Sequence, residues 1–250
     1  MHNPYTMNSP TGKEILAWLR EGDYAHPGER EALEKILQLC PVELDPAKTS
    51  VLDAGCGRGG TAQFFHQQGF ASCAGFDMDA DSIAYAQRTY PGVDFRVGLY
   101  EQCASLFAGQ RFDLLVSVCV LYLVDGPQRV QWLNQLRQLA SAGAWLAVFD
   151  YAPGNRDLVG ERDGWIPLQP QAFAEQAEQA GWQVQRHEDI GADFQRWYGV
   201  LTTKVRRNAN RIVRDYGHEW LATLNSTYGN QHLALRRAAL SGGVWWCRAR

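Results

Sequence analysis

The stretch Val51-Leu52-Asp53-Ala54-Gly55-Cys56-Gly57-Arg58-Gly59-Gly60 decides the fold of this protein. An apolar run leads directly into a glycine-rich turn, and the residues that follow favour a helix. Glycines let the backbone approach a ligand closely, and the N-terminus of the next helix offers unpaired N–H groups. Gly55, Gly57 and Gly60 also match the G-x-G-x-x-G spacing of dinucleotide sites, which on its own is a weak signal. The stretch predicts a strand, a ligand-binding turn and a helix.

Short apolar runs and amphipathic segments alternate downstream of this turn. The runs predict strands at Ser50–Ala54, Ala71–Asp77, Val93–Val97, Asp113–Val118 and Trp145–Asp150. The segments between them predict helices at Thr61–Gln68, Asp81–Thr89, Glu101–Phe107 and Gln128–Leu139. Such alternation is typical of βαβ units, whose right-handed crossovers build a parallel sheet covered on both faces. We therefore predict an α/β fold with a Rossmann-like, doubly wound sheet.

The two ends of the chain have a different pattern. Thr11 and Glu14 have the spacing of a capping box before an N-terminal helix, and a second helix is predicted to begin near Pro27. After Tyr151 we predict a helix at Gln171–Ala180, a strand at Trp182–Glu188, about fifty residues of helical periodicity and a last strand at Gly243–Cys247. The helical insertion is either a lid over a substrate or a bundle that thickens the fold.

Composition excludes several classes of protein. The chain has 250 residues, 46% of them hydrophobic, and a net charge of -3 from 24 basic and 27 acidic residues. This content suits a folded core and disfavours a protein built to bind nucleic acid. No apolar run approaches the roughly 18 residues of a membrane span, and Met1 to Pro10 contains no signal-peptide core. The six cysteines are scattered without metal-ligand spacing, so we expect no metal, reduced thiols and a cytoplasmic location.

Two carboxylates point to the ligand. Asp77 ends the second predicted strand about twenty residues after the glycines, where an acid would hold the two hydroxyls of a ribose. Asp53 lies two residues before Gly55, where it would repel a pyrophosphate but suit an ammonium or sulfonium group. A purely structural role for Asp53, bracing the loop, is the alternative.

The pattern Asp53-Ala54-Gly55-Cys56-Gly57 resembles motif I of class I S-adenosylmethionine-dependent methyltransferases. Asp77 matches the ribose acid of that family, and the segment from Phe112 to Tyr122 is similar to its fourth strand. The resemblance implies a seven-stranded sheet, mostly parallel with an antiparallel last strand, together with N-terminal helices and a helical cap inserted before the last strand. It implies S-adenosylmethionine as cofactor and S-adenosylhomocysteine as product. The implied cofactor residues are Asp53, Gly55, Cys56, Gly57, Asp77, Met78, Leu99, Tyr100 and Cys119.

The chain also departs from this family. Many relatives carry an acid for the adenine amine after the third strand, but here Leu99 follows Gly98. Adenine would then be held by backbone and apolar contacts, with Tyr100. After the fourth strand the chain has Cys119 in place of an acid or Asn, and Tyr122 in place of His.

The domain organisation that the resemblance implies has four parts. Residues 1–48 form an N-terminal helical lid, 49–190 the cofactor-binding Rossmann-like domain, 191–241 the helical cap and 242–250 the final strand of the sheet. Helices before the first strand and an insertion before the last are similar to the sterol, quinone-precursor, sarcosine/dimethylglycine and natural-product methyltransferases. This similarity implies a small organic methyl acceptor, and the aromatic residues of the cap suggest an aromatic or apolar one. The candidate aromatic residues are Trp165, Trp197, Tyr198, Tyr216, Trp220 and Tyr228.

The reaction itself needs few residues, because methyl transfer from a sulfonium is an in-line displacement in which positioning does much of the catalysis. The candidate bases are His218, Tyr122, His26 and Asp150, each with a structural role as the alternative. The sequence lacks the Asn/Asp-Pro-Pro-Tyr/Phe and Pro-Cys motifs of base-modifying enzymes. The acceptor atom (O, N or C) and the oligomeric state stay open.

Three other functions remain as alternatives. The glycine spacing allows an NAD-dependent oxidoreductase, which Asp53 opposes. A basic cluster in the cap allows binding of an anionic substrate or tRNA, although the solvated face of an amphipathic helix is the favoured interpretation. The third alternative is a binding module that has kept the fold and lost turnover. The basic cluster consists of Arg196, Lys204, Arg206, Arg207, Arg211 and Arg214.

Overall fold

A computed structural model describes residues 5–155 and 164–250 of the chain. Its centre is one seven-stranded sheet with the strand order β3-β2-β1-β4-β5-β7-β6. β7 runs antiparallel to β5 and β6, and the other neighbours pair in parallel. The predicted α/β, Rossmann-like, doubly wound fold with an antiparallel last strand is confirmed. The strands are β1 (Ser50–Ala54), β2 (Ser72–Asp77), β3 (Asp94–Val97), β4 (Phe112–Val118), β5 (Ala140–Pro153), β6 (Trp182–Asp189) and β7 (Leu240–Ala249).

Helices cover both faces of this sheet. One buried core lies between the sheet and the first four helices together with the last three, and a second lies between the sheet and the middle three. Because β1 and β4 are buried on both faces, most of their residues are apolar. The helices are α1 (Pro10–Arg20), α2 (Glu29–Gln38), α3 (Gly60–Gln67), α4 (Ala80–Thr89), α5 (Cys103–Leu106), α6 (Gly126–Leu139), α7 (Pro170–Gln179), α8 (Gly191–Arg207), α9 (Ala209–Tyr216) and α10 (His218–Arg236).

The main differences from the predicted elements lie at their ends. The N-cap of α1 is Ser9 and not Thr11, because the Ser9 side chain accepts a hydrogen bond from the Gly12 N–H at 3.1 Å and Pro10 takes the first helical position. β5 begins directly after α6 and continues beyond Asp150, because it pairs with β7 from Trp145 to Pro153. β7 correspondingly begins at Leu240, before the predicted Gly243.

Two helical segments cover the carboxyl edge of the sheet, where the glycine turn emerges. The N-terminal segment contains α1, α2 and the turn between them, which we call the lid turn (Glu21–Gly28). The second segment, α8, α9 and α10, lies between β6 and β7 in the chain and is called the cap below. α1 packs on α8, so the N-terminal helices and the cap meet over this edge.

The described residues contain no helix long and apolar enough to cross a membrane. The same part of the chain contains no cluster of three or more His, Cys, Asp or Glu arranged to bind a metal ion. The six cysteines, Cys40, Cys56, Cys73, Cys103, Cys119 and Cys247, are free thiols.

Candidate active site

The glycine turn joins β1 to α3 at the carboxyl edge of the sheet. Gly55 has φ +79°, and a Cβ there would lie 2.7 Å from a methyl of Val120, so a larger residue would collide with the segment after β4. Gly57 has φ +51°, and a Cβ there would meet nothing within 4 Å. Gly57 therefore presents bare backbone to open space, as a turn that receives a ligand does.

Asp77 fixes this turn from the end of β2. Its Oδ2 accepts a hydrogen bond from the Gly57 N–H at 2.9 Å, and its Oδ1 accepts one from the Asp79 N–H at 2.9 Å. A carboxylate can accept about four hydrogen bonds, so two acceptor positions remain for a ligand. Met78 is 72% exposed and Leu99 is 43% exposed, although both are apolar. Both residues follow strand ends at the ligand-binding edge, where they offer apolar surface beside Asp77.

Asp53 lies under the turn and is only 1% exposed. Its Oδ2 has no hydrogen-bond partner among the described residues. Burial, with a smaller contribution from the negative charge of Asp77, raises the pKa of Asp53 to about 8, and a hydrogen bond from the Ala62 N–H opposes this shift. A positively charged ligand beside the turn would stabilise the ionised form. Pairing of this carboxyl with a cationic ligand stays a prediction.

The side chains of two predicted cofactor residues, Cys56 and Tyr100, are buried and do not line the cavity described below. Cys56 is buried, and its side chain packs where a Cβ on Gly75 would stand, so it reaches a cofactor only through its backbone. Tyr100 is buried and stacks on Trp132 with a centroid separation of 4.2 Å. Its hydroxyl donates a hydrogen bond to the Ala54 carbonyl at 2.8 Å. The prediction that Tyr100 helps to hold adenine is corrected, since the residue supports the turn from below.

A cavity of about 470 Å³ extends from the glycine turn to the cap. The volume lies in the range of small-molecule sites. N-terminal residues, the lid turn, the ends of β4 and β5 and α10 all contribute to the wall. The lining residues are Tyr5, Thr6, Met7, Asn8, Lys13, Leu16, Ala17, Arg20, Asp23, Tyr24, Ala25, Gly57, Arg58, Cys119, Tyr122, Leu123, Tyr151, Trp165, Tyr198, Thr223, Thr227, Tyr228 and Gln231.

Five aromatic residues form one side of this cavity, and we call them the aromatic wall: Tyr122, Tyr151, Trp165, Tyr198 and Tyr228. The rings of the first three lie 4.5–4.8 Å apart, mostly at edge-to-face angles. The hydroxyls of Tyr151 and Tyr198 are hydrogen-bonded, and the rings of Tyr198 and Tyr228 lie 6.1 Å apart. Such a wall suits an apolar, aromatic or cationic group.

The remaining aromatic candidates lie elsewhere. Trp197 and Trp220 are buried in the core under the cap, and the Tyr216 hydroxyl donates to Glu14 at the surface. Tyr151 belongs to the wall although the sequence interpretation stopped at Asp150. Its position at the carboxyl end of a buried strand was the signal that could have identified it.

Cys119 lines the cavity directly after β4. Its φ is +56°, which is unusual for a residue with a side chain, and its N–H donates to the Phe149 carbonyl at 2.7 Å. The left-handed backbone ends β4 and turns the next residues along the cavity wall.

The candidate bases have different surroundings. His218 is exposed at the start of α10 and does not line the cavity, so the structure contradicts its assignment as a base. His26 is buried outside the cavity lining, and its ring bonds to the Pro27 carbonyl at 3.2 Å and to Thr61 Oγ1 at 3.3 Å. Burial lowers the pKa of His26 to about 3, so the ring is neutral and ties the lid turn to α3.

Asp150 is buried and its acceptor positions are filled. Its Oδ2 accepts the N–H groups of Val120, Leu121 and Tyr122 at 2.8–3.3 Å, and its Oδ1 accepts that of Tyr151 at 2.8 Å. Asp150 therefore holds the segment after β4 and is not free to take a proton from a substrate. Tyr122 does line the cavity, but burial raises its pKa further above the ordinary value, which makes its phenolate a scarce species.

Sequence reasoning did not assign several polar residues of the cavity, among them Arg20, Asp23 and Gln231. Asp23 accepts hydrogen bonds from the hydroxyls of Tyr85 and Tyr90 at 3.1 and 2.6 Å, and its Oδ1 lies 3.5 Å from Nε of Arg58. These contacts attach the lid turn to the glycine turn and to α4. Arg20 and Gln231 lie in helices of ordinary composition, where nothing in the sequence marks them, and Asp23 lies in the lid turn.

The basic cluster of the cap is largely paired with acids. Arg196 bonds to Glu31 and Asp193, and Lys204 bonds to Glu21 at 3.0 Å. Arg211 and Arg214 share Asp215. This pairing reduces the positive field that a polyanion would need, so the solvated-face interpretation is favoured.

Comparison with known proteins identifies the sheet and its turn. A family model described as "Methyltransferase domain" matches residues 51–143, which include the glycine turn and Asp77. Residues 51–143 are thus similar to a methyltransferase domain. The family resemblance predicted from the sequence is confirmed, and the NAD-dependent alternative is not favoured.

Two curated relatives of this methyltransferase domain come from Rauvolfia serpentina. Ajmaline N-methyltransferase is 25% identical over 191 residues, which are 71% of this chain and 58% of the relative. Norajmaline N-methyltransferase is 26% identical over 132 residues, which are 49% of this chain and 44% of the relative. The chain thus spans about half the length of the curated relatives that it matches.

A solved structure shares the whole fold. Phosphoethanolamine N-methyltransferase 2 of Haemonchus contortus, solved with phosphomonomethylethanolamine and S-adenosylhomocysteine, superposes with a TM-score of 0.82 at 16% identity. The match covers 99% of this chain and 58% of the other chain. The helical segments over the carboxyl edge therefore occur in another protein together with this sheet.

Proposed function

We propose that this protein transfers a methyl group from S-adenosylmethionine to a small organic molecule. The observation that carries the proposal is a single cavity that joins the glycine turn to the aromatic wall. Gly57 with its open face, Asp77 with two unused acceptor positions and the orphaned carboxyl of Asp53 fit a cofactor that has a ribose and a positive charge. When bound, this cofactor supplies an electrophilic methyl group on a sulfonium.

The residues of the glycine turn and its neighbours would hold this cofactor. Gly55 and Gly57 allow close approach of the backbone, and α3 directs its unpaired N–H groups to the same place. Asp77 would accept the ribose hydroxyls, Met78 and Leu99 would cover the faces of adenine, and Cys119 would border the cofactor at the entrance to the aromatic wall.

We assign the methyl acceptor atom to nitrogen. Among the described residues that line the cavity there is no histidine, and its carboxylate, Asp23, is bonded to two tyrosine hydroxyls. Burial raises the pKa of Tyr122 and Tyr151, so these hydroxyls are poor bases. A neutral amine has a lone pair that attacks without losing a proton first, so positioning is sufficient. The curated relatives named as N-methyltransferases support the same assignment.

The helical segments act as lids in this proposal. Residues 1–48 and 191–241 close over the cavity, while 49–190 and 242–250 form the sheet domain. The N-terminal residues Tyr5, Thr6, Met7 and Asn8 line the cavity together with α10, so an acceptor would enter when these parts separate. The free thiols support a reducing compartment, and we place the reaction in the cytoplasm.

Calorimetry tests the proposed function directly. The purified protein is titrated with S-adenosylmethionine, S-adenosylhomocysteine and NAD, and we expect saturable binding of the first two alone. A panel of small amines is then incubated with S-adenosylmethionine, and S-adenosylhomocysteine formation is measured by mass spectrometry. Binding of NAD without either sulfur compound would overturn the proposal. Cofactor binding without any methylated product would favour a binding module.

A further inference from the structure

Arg20 and Gln231 are polar side chains in the cavity that have no role in binding the proposed cofactor. Both residues line the cavity, and they are only 3% and 6% exposed. Each has a side-chain atom that is buried without a hydrogen-bond partner among the described residues: Nε of Arg20 and Oε1 of Gln231. A buried polar atom without a partner costs free energy, and a ligand that completes its bonding recovers that cost.

The charge of Arg20 is only partly balanced by the protein. Its Nη1 donates to the carbonyls of Tyr24 and His26 at 3.1 and 2.5 Å, which fixes the guanidinium against the lid turn. The carboxylate of Glu29 lies 3.7 Å from Nε, beyond hydrogen-bond distance. Burial raises the pKa of Glu29, and the positive charge of Arg20 opposes this shift. Within the described residues Nη2 makes no hydrogen bond, so a donor of a permanent cation stays available.

The other cations of the cavity have partners. Lys13 bonds to Asp79 and Ser82, and Arg58 lies 3.5 Å from the carboxylate of Asp23 with its guanidinium 3.6 Å from the Tyr85 ring centroid. Among the described cations of the lining, Arg20 is thus the buried one beside the aromatic wall. A single positive charge matches one unit of negative charge.

The aromatic wall begins beside Arg20. The Arg20 guanidinium lies 5.8 Å from the Tyr228 ring, and Tyr228 is followed by Tyr198, Tyr151 and then Tyr122 with Trp165. A molecule lying along these rings would place one end at Arg20. Gln231, on α10, would meet its polar end.

We propose that the methyl acceptor carries a carboxylate, which binds to Arg20 and Gln231 while the apolar body of the acceptor lies along the aromatic wall. This inference rests on the proposed function, because it concerns the second substrate of that reaction. The acceptor is then an amine with an acidic group at its far end. The guanidinium donates to the carboxylate oxygens, and Gln231 donates as well once its amide has rotated so that the NH2 group faces the ligand in place of Oε1. A phosphate, which carries nearly two negative charges, would leave one charge unbalanced here.

Three probes with the same ring and different end groups test the proposal. The protein is first saturated with S-adenosylhomocysteine, and it is then titrated calorimetrically with 4-hydroxyphenylacetate, 4-hydroxyphenylacetamide and tyramine. We expect the acid to bind at least about tenfold more tightly than the neutral amide or the amine. Equal binding of the three probes would overturn the proposal, as would tighter binding of inorganic phosphate than of the acid. Failure to bind S-adenosylhomocysteine in the first step would instead contradict the proposed function.

A charge substitution supplies the matched control. Gln231→Glu keeps the shape of the side chain and places a negative charge beside the proposed carboxylate, so we expect at least about tenfold weaker binding of 4-hydroxyphenylacetate with unchanged binding of the amide. Gln171→Glu makes the same chemical change at an exposed position on α7 and should leave both affinities unchanged. Loss of both probes in Gln231→Glu, with normal thermal unfolding, would contradict the proposal.

A second variant tests whether Arg20 binds the amino-acid part of the cofactor instead. Arg20→Lys keeps the positive charge but cannot reproduce the planar set of donors. We expect it to weaken 4-hydroxyphenylacetate binding about tenfold and to leave the affinities for S-adenosylhomocysteine and 5′-methylthioadenosine unchanged. A selective loss of S-adenosylhomocysteine affinity would assign Arg20 to the cofactor and overturn the inference.

Discussion

The two halves of the cavity are built in different ways. On the cofactor side, Gly57 lies in the turn after β1 and Asp77 ends the adjacent parallel strand β2, and the hydrogen bond between them fixes their separation. On the acceptor side, Arg20, Tyr151 and Tyr228 come from α1, β5 and α10, which are far apart in the chain. The first half is therefore determined by local turn chemistry and strand pairing. The second depends on how separate helices pack, which leaves more freedom for different acceptors.

The largest loss of stability is expected at Asp150, which holds the segment after β4 on the acceptor side of the cavity. Asp150→Ala removes the acceptor of four backbone N–H groups in a buried place, so we expect the free energy of unfolding to fall by about 3–5 kcal/mol. Urea unfolding followed by circular dichroism measures this loss. Asp94→Ala, at an exposed position on β3, should change stability by less than about 0.5 kcal/mol. Normal stability with lost turnover would instead make Asp150 a base.

On the cofactor side, Asp77→Ala tests the ribose assignment. The change removes two bonds within the turn as well as the acceptor of the ribose hydroxyls, so we expect cofactor affinity to fall by about 1–3 kcal/mol. Calorimetry with S-adenosylhomocysteine gives the value. Asp113→Ala alters a carboxylate at the opposite edge of the sheet and should leave the affinity unchanged. An unchanged affinity in Asp77→Ala would remove the ribose assignment.

The free energy of unfolding is expected to fall in acid, because His26 ties the lid turn to α3 as a neutral ring. The pKa of His26 is about 3 in the folded protein because the ring is buried, whereas the unfolded value is 6.5. Below pH 6.5 the unfolded chain binds a proton that the folded chain does not, so stability falls as the pH decreases. At pH 5 the loss is about 2 kcal/mol at 1.36 kcal/mol per pH unit.

Unfolding in urea at pH 7.5 and pH 5 measures this dependence. His26→Asn should show a smaller difference between the two pH values than the unchanged protein. His66→Asn, at an exposed position on α3, should keep the full difference. The same dependence in both variants would exclude His26 as the source.

The smallest expected effects on stability come from removing one hydroxyl on each side of the cavity, and they distinguish the cofactor side from the acceptor side. Tyr100→Phe and Tyr151→Phe each remove one buried hydroxyl, and each should cost about 0.5–1.5 kcal/mol of stability. Only Tyr100→Phe, under the glycine turn, should also weaken binding of S-adenosylhomocysteine. Parallel calorimetry and urea unfolding of both variants check this difference. Equal cofactor affinity in the two variants would show that the turn does not need support from Tyr100.

The sequence by itself determined the sheet and the cofactor edge. Ser50–Ala54 is predicted with its observed bounds, because a strand buried on both faces is mostly apolar and Gly55 ends it abruptly. Asp77 is predictable for a similar reason, since parallel strands must end at one edge. These features depend on residues that are close in sequence or joined by regular strand pairing.

Only the tertiary structure decided the acceptor side. Nothing local to Arg20 shows that α1 lies against the cap, or that its guanidinium becomes buried beside Tyr228. The sequence suggested His218 as a base because histidine is chemically suited to the role, yet the packing of α10 leaves it exposed and places Gln231, three turns later, in the cavity. Which face of a helix meets a cavity depends on the summed packing of distant segments, and the pattern within one segment does not encode that.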